Sequence, residues 1–192
     1  MSIAASVPPE METALLGFVL HTPMHAYEIH LQLRQAESLG LVWRLKQAHL
    51  YALLSRMEDA GYLLANVEPQ VGRPARKVLA LTDAGRAAFT AWLTEPVAHG
   101  RDFRLTFLAK LYFASREGSA QVSRLIARQR VECERWLTDL ESRASALAED
   151  LSYDRLVLAF RASQIEAILL WLDECDASLG AASQQVSPAA RT

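Results

Sequence analysis

The stretch HLYALLSRMEDAGYL, residues 49–63, decides the fold of this 192-residue chain. Its apolar residues recur at the i, i+3, i+4 and i+7 spacing of a helix with one buried face. They are Leu50, Leu53, Leu54 and Met57. Gly61 follows them and is placed to end the helix in the left-handed conformation. The pattern therefore predicts a helix over about 47–60, with small and polar residues on its outer face.

Two further helices are predicted before this one, over about 10–20 and 26–36. Pro23 separates them, since a proline disfavours helix in the residue before it, and Gly40 marks a turn after the second. The second helix has apolar residues that we expect to make core contacts, namely Tyr27, Ile29, Leu31 and Leu33. Two helices thus lead into the third by short connections.

Two short strands are predicted after the third helix, over about 62–68 and 75–81, around a tip that contains Gly72-Arg73-Pro74. Thr82 and Asp83 then supply the cap and acidic first turn of a fourth helix through about Leu93. Three helices, a hairpin and a helix within about 85 residues are the layout of a winged helix-turn-helix domain.

The rest of the chain reads as helix after the boundary marked by Pro96 and Gly100. Helices are predicted over about 103–114, 119–147 and 153–179. The last is apolar on most sides, so its burial needs partner helices, and we expect a second chain to supply them. We expect a winged helix-turn-helix DNA-binding domain (1–95), a helical dimerisation and effector domain (96–182) and a flexible tail (183–192). The predicted fold class is therefore mostly α with a small β-hairpin wing.

The charge is unevenly distributed although the net charge is only −2. Residues 43–77 hold six basic side chains against three acidic ones, whereas residues 132–154 hold two against seven. A basic segment within a neutral or acidic body is typical of a protein that binds nucleic acid through one part.

Composition and missing motifs narrow the class of protein further. The apolar runs are too short to span a bilayer, and Cys133 and Cys175 lie in apolar helical patterns. We therefore expect a cytoplasmic protein with buried free thiols. The sequence has no nucleophile elbow, zinc-protease motif, phosphate-binding loop or dinucleotide-binding turn. We expect no enzyme, no cofactor and no metal site.

The predicted DNA interface joins the third helix to the wing. Small residues on the outer helix face allow close approach to base edges, and basic and hydroxyl side chains beside them suit phosphates. The candidate DNA-binding residues are Lys46, Gln47, His49, Tyr51, Ser55, Arg56, Arg73, Arg76 and Lys77. The competing interpretations are that Tyr51 is a rim residue that packs on the wing, and that Arg56 and Arg73 are solvated surface arginines. Glu28 is expected at the surface or in a local ion pair.

The chain resembles the PadR family of bacterial regulators, in particular the subfamily with a long helical C-terminal domain. The resemblance rests on Tyr27-Glu28, Leu50-Tyr51, Gly72-Arg73-Pro74 and the Leu-Thr-x-x-Gly run of residues 81–85. Gln47 and Ala52 stand where many members have Ser or Thr and Pro. The resemblance implies a repressor that binds a pseudo-palindromic operator as a homodimer through its C-terminal helices. The alternatives are a MarR-like regulator and a winged-helix protein-interaction module without a small-molecule effector.

An effector site is predicted where the two domains meet, for a small aromatic acid such as a phenolic acid. Several PadR-type regulators respond to such acids, and aromatic residues lie beside arginines after the domain boundary. The candidate effector-binding residues are Trp92, Arg104, Phe107 and Tyr112. Rings would stack on the aromatic side chains, and Arg104 would pair with the carboxylate. A purely structural interdomain core is the competing interpretation.

Overall fold

The computed structural model describes residues 10–35, 37–43, 45–68, 76–147 and 152–185. It divides into two compact units. Unit 1 comprises Met1–Thr94 with Arg104–Phe113, and unit 2 comprises Glu95–Phe103 with Ala114–Thr192. Each unit has its own core, and each is described by itself below.

Unit 1 is mainly helical. Its helices are α1 (Glu10–Leu16), followed by a 3₁₀ turn (Gly17–Val19), α2 (Ala26–Gln35), α3 (Glu37–Val42), α4 (Gln47–Asp59) and α5 (Asp83–Thr94). The α4 helix is the third helix of the sequence prediction, and its bounds agree with that prediction within one residue. Its stripe Leu50, Leu53, Leu54 and Met57 is buried as expected.

A three-stranded antiparallel sheet completes unit 1. Its strands are β1 (Met24–His25), β2 (Leu63–Glu68) and β3 (Arg76–Leu81), in the order β1-β3-β2. The hairpin register pairs Leu63 with Leu81 and Glu68 with Arg76. The predicted wing strands are therefore present, and β3 lies at the centre of the sheet.

Thr82 joins the end of α4 to the start of α5. Gly61 has the positive φ of +80° that the helix end requires. The Thr82 hydroxyl lies 2.8 Å from the Gly61 carbonyl oxygen, to which it donates, and it accepts the backbone N–H of Gly85 at 3.0 Å. Thr82 is thus the N-cap of α5, as predicted, and at the same time binds the backbone that leaves α4.

Two elements of unit 1 differ from the prediction. The predicted turn at Gly40 lies inside α3, because burial of Leu39 and Trp43 outweighs the low helix propensity of glycine. The segment before α2 contains β1, which has only two residues and therefore no readable alternation. Its pairing with Leu79 and Val78 of β3 is set by residues more than 50 positions away.

Unit 2 is built on two long helices, α7 (Ser119–Ser145) and α8 (Tyr153–Gln185). They run antiparallel: Arg130 in the middle of α7 pairs with Asp173 and Asp176, whereas Arg143 near the end of α7 borders the same hollow as Asp154 and Val157 at the start of α8. The helix α8 continues through Gln185, three residues into the segment that the sequence assigned to the tail. Glutamine is a good helix former, so nothing in residues 183–185 interrupts α8. Residues 186–192 of the predicted tail lie outside the described part.

The segment before α7 changes helix type along its length. A 3₁₀ turn (Gly100–Asp102) and a π-helical turn (Phe103–Phe107) precede α6 (Leu108–Glu117). The prediction had one uniform helix over 103–114. Within unit 2, the ring of Phe103 makes an edge contact with Trp171, with the ring centres 5.8 Å apart.

Two further sequence expectations concern cysteines and membranes. Cys133 is buried as predicted, and Cys175 is half-buried; both are free thiols. Burial raises the pKa of both thiols. Within the described ranges, no helix combines the length and hydropathy needed to cross a membrane.

We predict opposite effects of alanine at two helical glycines. A Cβ at Gly85 would overlap the backbone carbonyl oxygen of Tyr62, whereas a Cβ at Gly40 would meet nothing within 4 Å. Gly85→Ala should lower the free energy of unfolding by about 1–3 kcal/mol. Gly40→Ala should raise it by up to about 1 kcal/mol, since alanine is the better helix former. Urea unfolding measures both. Equal stabilities would contradict the close packing of α5 against the end of α4.

Candidate nucleic-acid interface

The outer face of α4 is the surface that the sequence predicts to approach the base edges of DNA. Side chains opposite the buried stripe are exposed, among them Ala48, His49, Tyr51, Ala52 and Ser55. The small residues leave the helix backbone accessible, and Tyr51 is 41% exposed. A helix with this surface fits the major groove of DNA, whose width admits one helix.

The N-terminus of α4 is free of acidic residues. Lys46 is the N-cap in an extended conformation, and its side chain makes no capping hydrogen bond. Lys46 and Gln47 are exposed and border a hollow of about 430 Å³ beside Arg34. The unpaired backbone N–H groups of a helix N-terminus attract anions, and Lys46 adds a full positive charge there.

A groove of about 490 Å³ runs between the start of α2, the outer edge of α4 and strand β3. Its lining includes Tyr27, Tyr51, Ser55 and Lys77. Tyr27, which the sequence placed among core contacts, is 55% exposed. The local sequence does not predict that Tyr27 is exposed, because Tyr27 stands two residues before the buried Ile29 in the same pattern of apolar residues. Two exposed phenol groups therefore face one groove beside α4.

The side chain of Glu28 fixes the start of α2. The Glu28 carboxylate accepts the backbone N–H of His25 at 2.8 Å, which is one half of a capping box. The prediction left Glu28 at the surface or in a local ion pair, and the structure gives it this capping role. His25 in turn lies 3.1 Å from the carbonyl oxygen of Lys77, so the start of α2 is joined to β3.

Two of the predicted DNA-binding cations already have carboxylate partners. The Arg56 guanidinium pairs with Glu12 of α1, and the Lys77 ammonium pairs with Glu58 of α4. Glu12 is buried, with 6% of its surface exposed, whereas Arg56 is exposed. Arg56 therefore has a structural role, because it compensates a buried charge and joins α4 to α1. Arg73 lies outside the described residues, and only the backbone of Arg76 is described, at the start of β3.

The four predicted effector-binding residues all belong to unit 1. Trp92 and Phe107 are buried, Tyr112 is half-buried, and Arg104 is exposed. The rings of Trp92 and Tyr112 both contact Phe113, with centroid distances of 6.3 and 5.1 Å. The Trp92 indole N–H donates to Glu10 at 2.9 Å. Trp92 and Tyr112 are therefore part of the aromatic core of unit 1, and ligand binding by the four residues stays a prediction.

Family comparisons match both parts of the chain. Residues 15–91 match the model of the transcriptional regulator PadR-like family, and residues 103–180 match a model described as the virulence activator alpha C-terminal domain. The two matches fall on either side of the boundary predicted at Pro96 and Gly100.

The individual proteins similar to this chain share between 24% and 36% sequence identity with it. The negative transcriptional regulator PadR of Bacillus subtilis is 25% identical over 146 residues, which cover 74% of this chain and 79% of that protein. The probable transcriptional regulator Rv1176c of Mycobacterium tuberculosis is 36% identical over 67 residues, which span about a third of each protein (35%). A crystal structure of Bacillus subtilis PadR with operator DNA is similar with a TM-score of 0.45 and 24% identity, covering 89% of this chain and 99% of that one.

We predict that Arg56 stabilises the fold. Arg56→Ala should lower the free energy of unfolding by about 1–3 kcal/mol, because the buried Glu12 carboxylate loses its charged partner. Gln47→Ala, at an exposed position of the same helix, is the control and should change stability little. Thermal and urea unfolding measure both variants. If Arg56→Ala is as stable as the control but binds DNA more weakly, Arg56 acts as a DNA contact instead.

Proposed function

We propose that this chain is a transcriptional repressor of the PadR-like family, that it binds a pseudo-palindromic DNA operator as a homodimer and that a small aromatic acid releases it. The observation that carries the proposal is the outer face of α4, whose small and hydroxyl side chains border a positively charged helix N-terminus. The Bacillus subtilis relative is a negative regulator, which favours repression over activation.

Phosphate contacts are proposed at two places in unit 1. The first is the N-terminus of α4 with Lys46, where backbone N–H groups and a cation attract one phosphate. The second is the groove beside α4, where the hydroxyls of Tyr27 and Tyr51 can donate to phosphate oxygens. Both places border the outer face of α4, so contacts with DNA phosphates at these places would position that face over base edges.

We predict that Tyr51→Ala weakens DNA binding about tenfold without changing the melting temperature, because a hydrogen bond to a charged phosphate is lost. Tyr51→Phe, which removes only the hydroxyl, should cause most of the same loss. Fluorescence anisotropy is measured on a DNA fragment that the wild-type protein selects from a genomic library. Affinity should fall steeply as salt rises.

The outcomes separate the proposed function from the proposed contact. Wild-type protein that selects no DNA at low salt would contradict the repressor function itself. Wild-type protein that selects DNA, together with a Tyr51→Ala variant of unchanged affinity, would contradict only the Tyr51 contact.

Dimerisation is proposed through α8, which has two apolar faces. One face holds the buried Ile165 and Leu172. The opposite face carries exposed residues at i, i+3 or i+4 and i+7 spacings, namely Tyr153, Leu156, Phe160, Ala167 and Leu170. Leu156 and Phe160 are 55% and 63% exposed. An apolar stripe of about five turns is unusual on a monomer surface and suits a second copy of the same helix.

We predict that Phe160→Glu shifts the protein to monomers, because it puts a charge in the middle of the apolar stripe. DNA affinity should then fall by a factor of about 10²–10⁴, as two half-sites are no longer bound through one linked molecule. Ser123→Glu, at an exposed position of α7, is the control. Sedimentation velocity gives the oligomeric state. A Phe160→Glu variant that remains dimeric at micromolar concentration would remove α8 from the interface.

A further inference from the structure

Glu58 and Lys77 form an ion pair beside the proposed DNA-binding face. Glu58 lies in the last turn of α4, and Lys77 lies on β3, the central strand of the sheet. Both side chains line the groove that also contains Tyr51 and Ser55. The side chain of Lys77 is 54% exposed and that of Glu58 is 26% exposed. An anion that enters this groove therefore meets a cation whose charge is already balanced.

The backbone segments that carry the two side chains are held by hydrogen bonds. The carbonyl oxygen of Glu58 accepts the backbone N–H of Gly61 at 2.9 Å, where α4 ends. Lys77 is paired with Val67 of β2, and its own carbonyl oxygen lies 3.1 Å from Nδ1 of His25. Lys77 can therefore exchange one anionic partner for another only by moving its side chain, whose aliphatic stem is flexible.

The stability of α4 does not explain why Glu58 is acidic. A carboxylate near the C-terminus of a helix is unfavourable, because the carbonyl groups there carry partial negative charge. An exposed pair with Lys77 adds little stability to offset this. Glu28 is the other acidic residue in the groove lining, and its carboxylate has a role in the fold because it accepts the backbone N–H of His25. The main effect of Glu58 is therefore on the charge of the groove.

We infer that Glu58 masks the charge of Lys77 and so limits how tightly the chain binds DNA of any sequence. Affinity for DNA rises with the number of cations that a protein places against phosphates, and this contribution does not depend on base sequence. The inference rests on the proposed function, since it takes the outer face of α4 to meet DNA. It adds Glu58 as a residue that sets the affinity of that face.

The test compares two variants that each remove one negative charge from the last turn of α4. Glu58→Gln leaves Lys77 without its carboxylate. Asp59→Asn is the matched control, because Asp59 is exposed and is not among the residues that line the groove. Asp59 also forms no ion pair with any residue in the part of the chain that the structure describes.

Fluorescence anisotropy is measured with the full chain on a duplex of random sequence. Glu58→Gln should bind about three- to tenfold more tightly than wild type, and its affinity should depend on salt more steeply by about one unit of log–log slope, because one more phosphate is neutralised. Asp59→Asn should stay within about twofold of wild type, since its effect is a screened, long-range one. Both variants should melt near the wild-type temperature by circular dichroism, because an exposed ion pair is weak.

A double-mutant cycle shows whether the gain comes through Lys77. In a chain that already carries Lys77→Gln, Glu58→Gln should raise affinity by no more than about twofold, because only screened repulsion by the carboxylate is then removed. An equal gain in the two backgrounds would overturn the inference, since Glu58 would then act by repelling DNA. Unchanged affinity in Glu58→Gln, or an equal gain in Asp59→Asn, would overturn it as well.

Elution from heparin separates the masking of Lys77 from the proposed function, because heparin is a sulfated polymer without bases. Glu58→Gln should elute at higher salt than Asp59→Asn. Protein that elutes in this order but selects no DNA would contradict the repressor function and leave the masking of Lys77 standing. Elution of the two variants at the same salt would contradict the masking, whether or not the chain binds DNA.

Discussion

The burial of one apolar stripe on α4 determines which side chains lie on the outer face that we propose to bind DNA. Leu50, Leu53, Leu54 and Met57 are each no more than 3% exposed. Burying one such side chain stabilises a fold by about 1.5–3 kcal/mol, so the four together hold α4 firmly in one rotation about its axis. Each residue of a helix is turned by about 100° from the last, so this rotation also sets the outer face. A rotation by one residue would bury Tyr51 and expose Leu50.

The parts of the fold that were predictable are those encoded by neighbouring residues. The bounds of α4, the left-handed Gly61 and the Thr82 cap follow from periodicity and from the chemistry of single residues. The strand β1 and the helix α3 were not predictable, because distant pairing and burial produce them. The pairing of Arg56 with Glu12 joins residues 44 positions apart and leaves no mark in either local sequence. The sequence therefore predicts where the proposed interface lies, but it does not show that Arg56 and Lys77 are paired with carboxylates.

The number of charged residues in a segment and the ion pairs that they form lead to different expectations about how the surface attracts anions. The basic excess of residues 43–77 suggests several free cations near α4, yet Arg56 and Lys77 are bound to Glu12 and Glu58. The acidic excess of residues 132–154 suggests a surface that repels anions, yet Arg135 and Arg143 there neutralise nearby carboxylates. What an anion meets depends on which cations remain unpaired. Among the residues that the structure describes, Lys46 at the start of α4 has no carboxylate partner.

The two thiols have a consequence for redox chemistry. Burial raises the pKa of Cys133 and of Cys175, and the neighbouring acidic side chains act in the same direction. Peroxides and disulfides react with the thiolate form, which is scarce at neutral pH when the pKa of a thiol is raised. The raised pKa therefore disfavours oxidation of both cysteines. A cysteine introduced at an exposed position would react before Cys133 and Cys175. Site-specific labelling can therefore be done with both native cysteines kept in the chain.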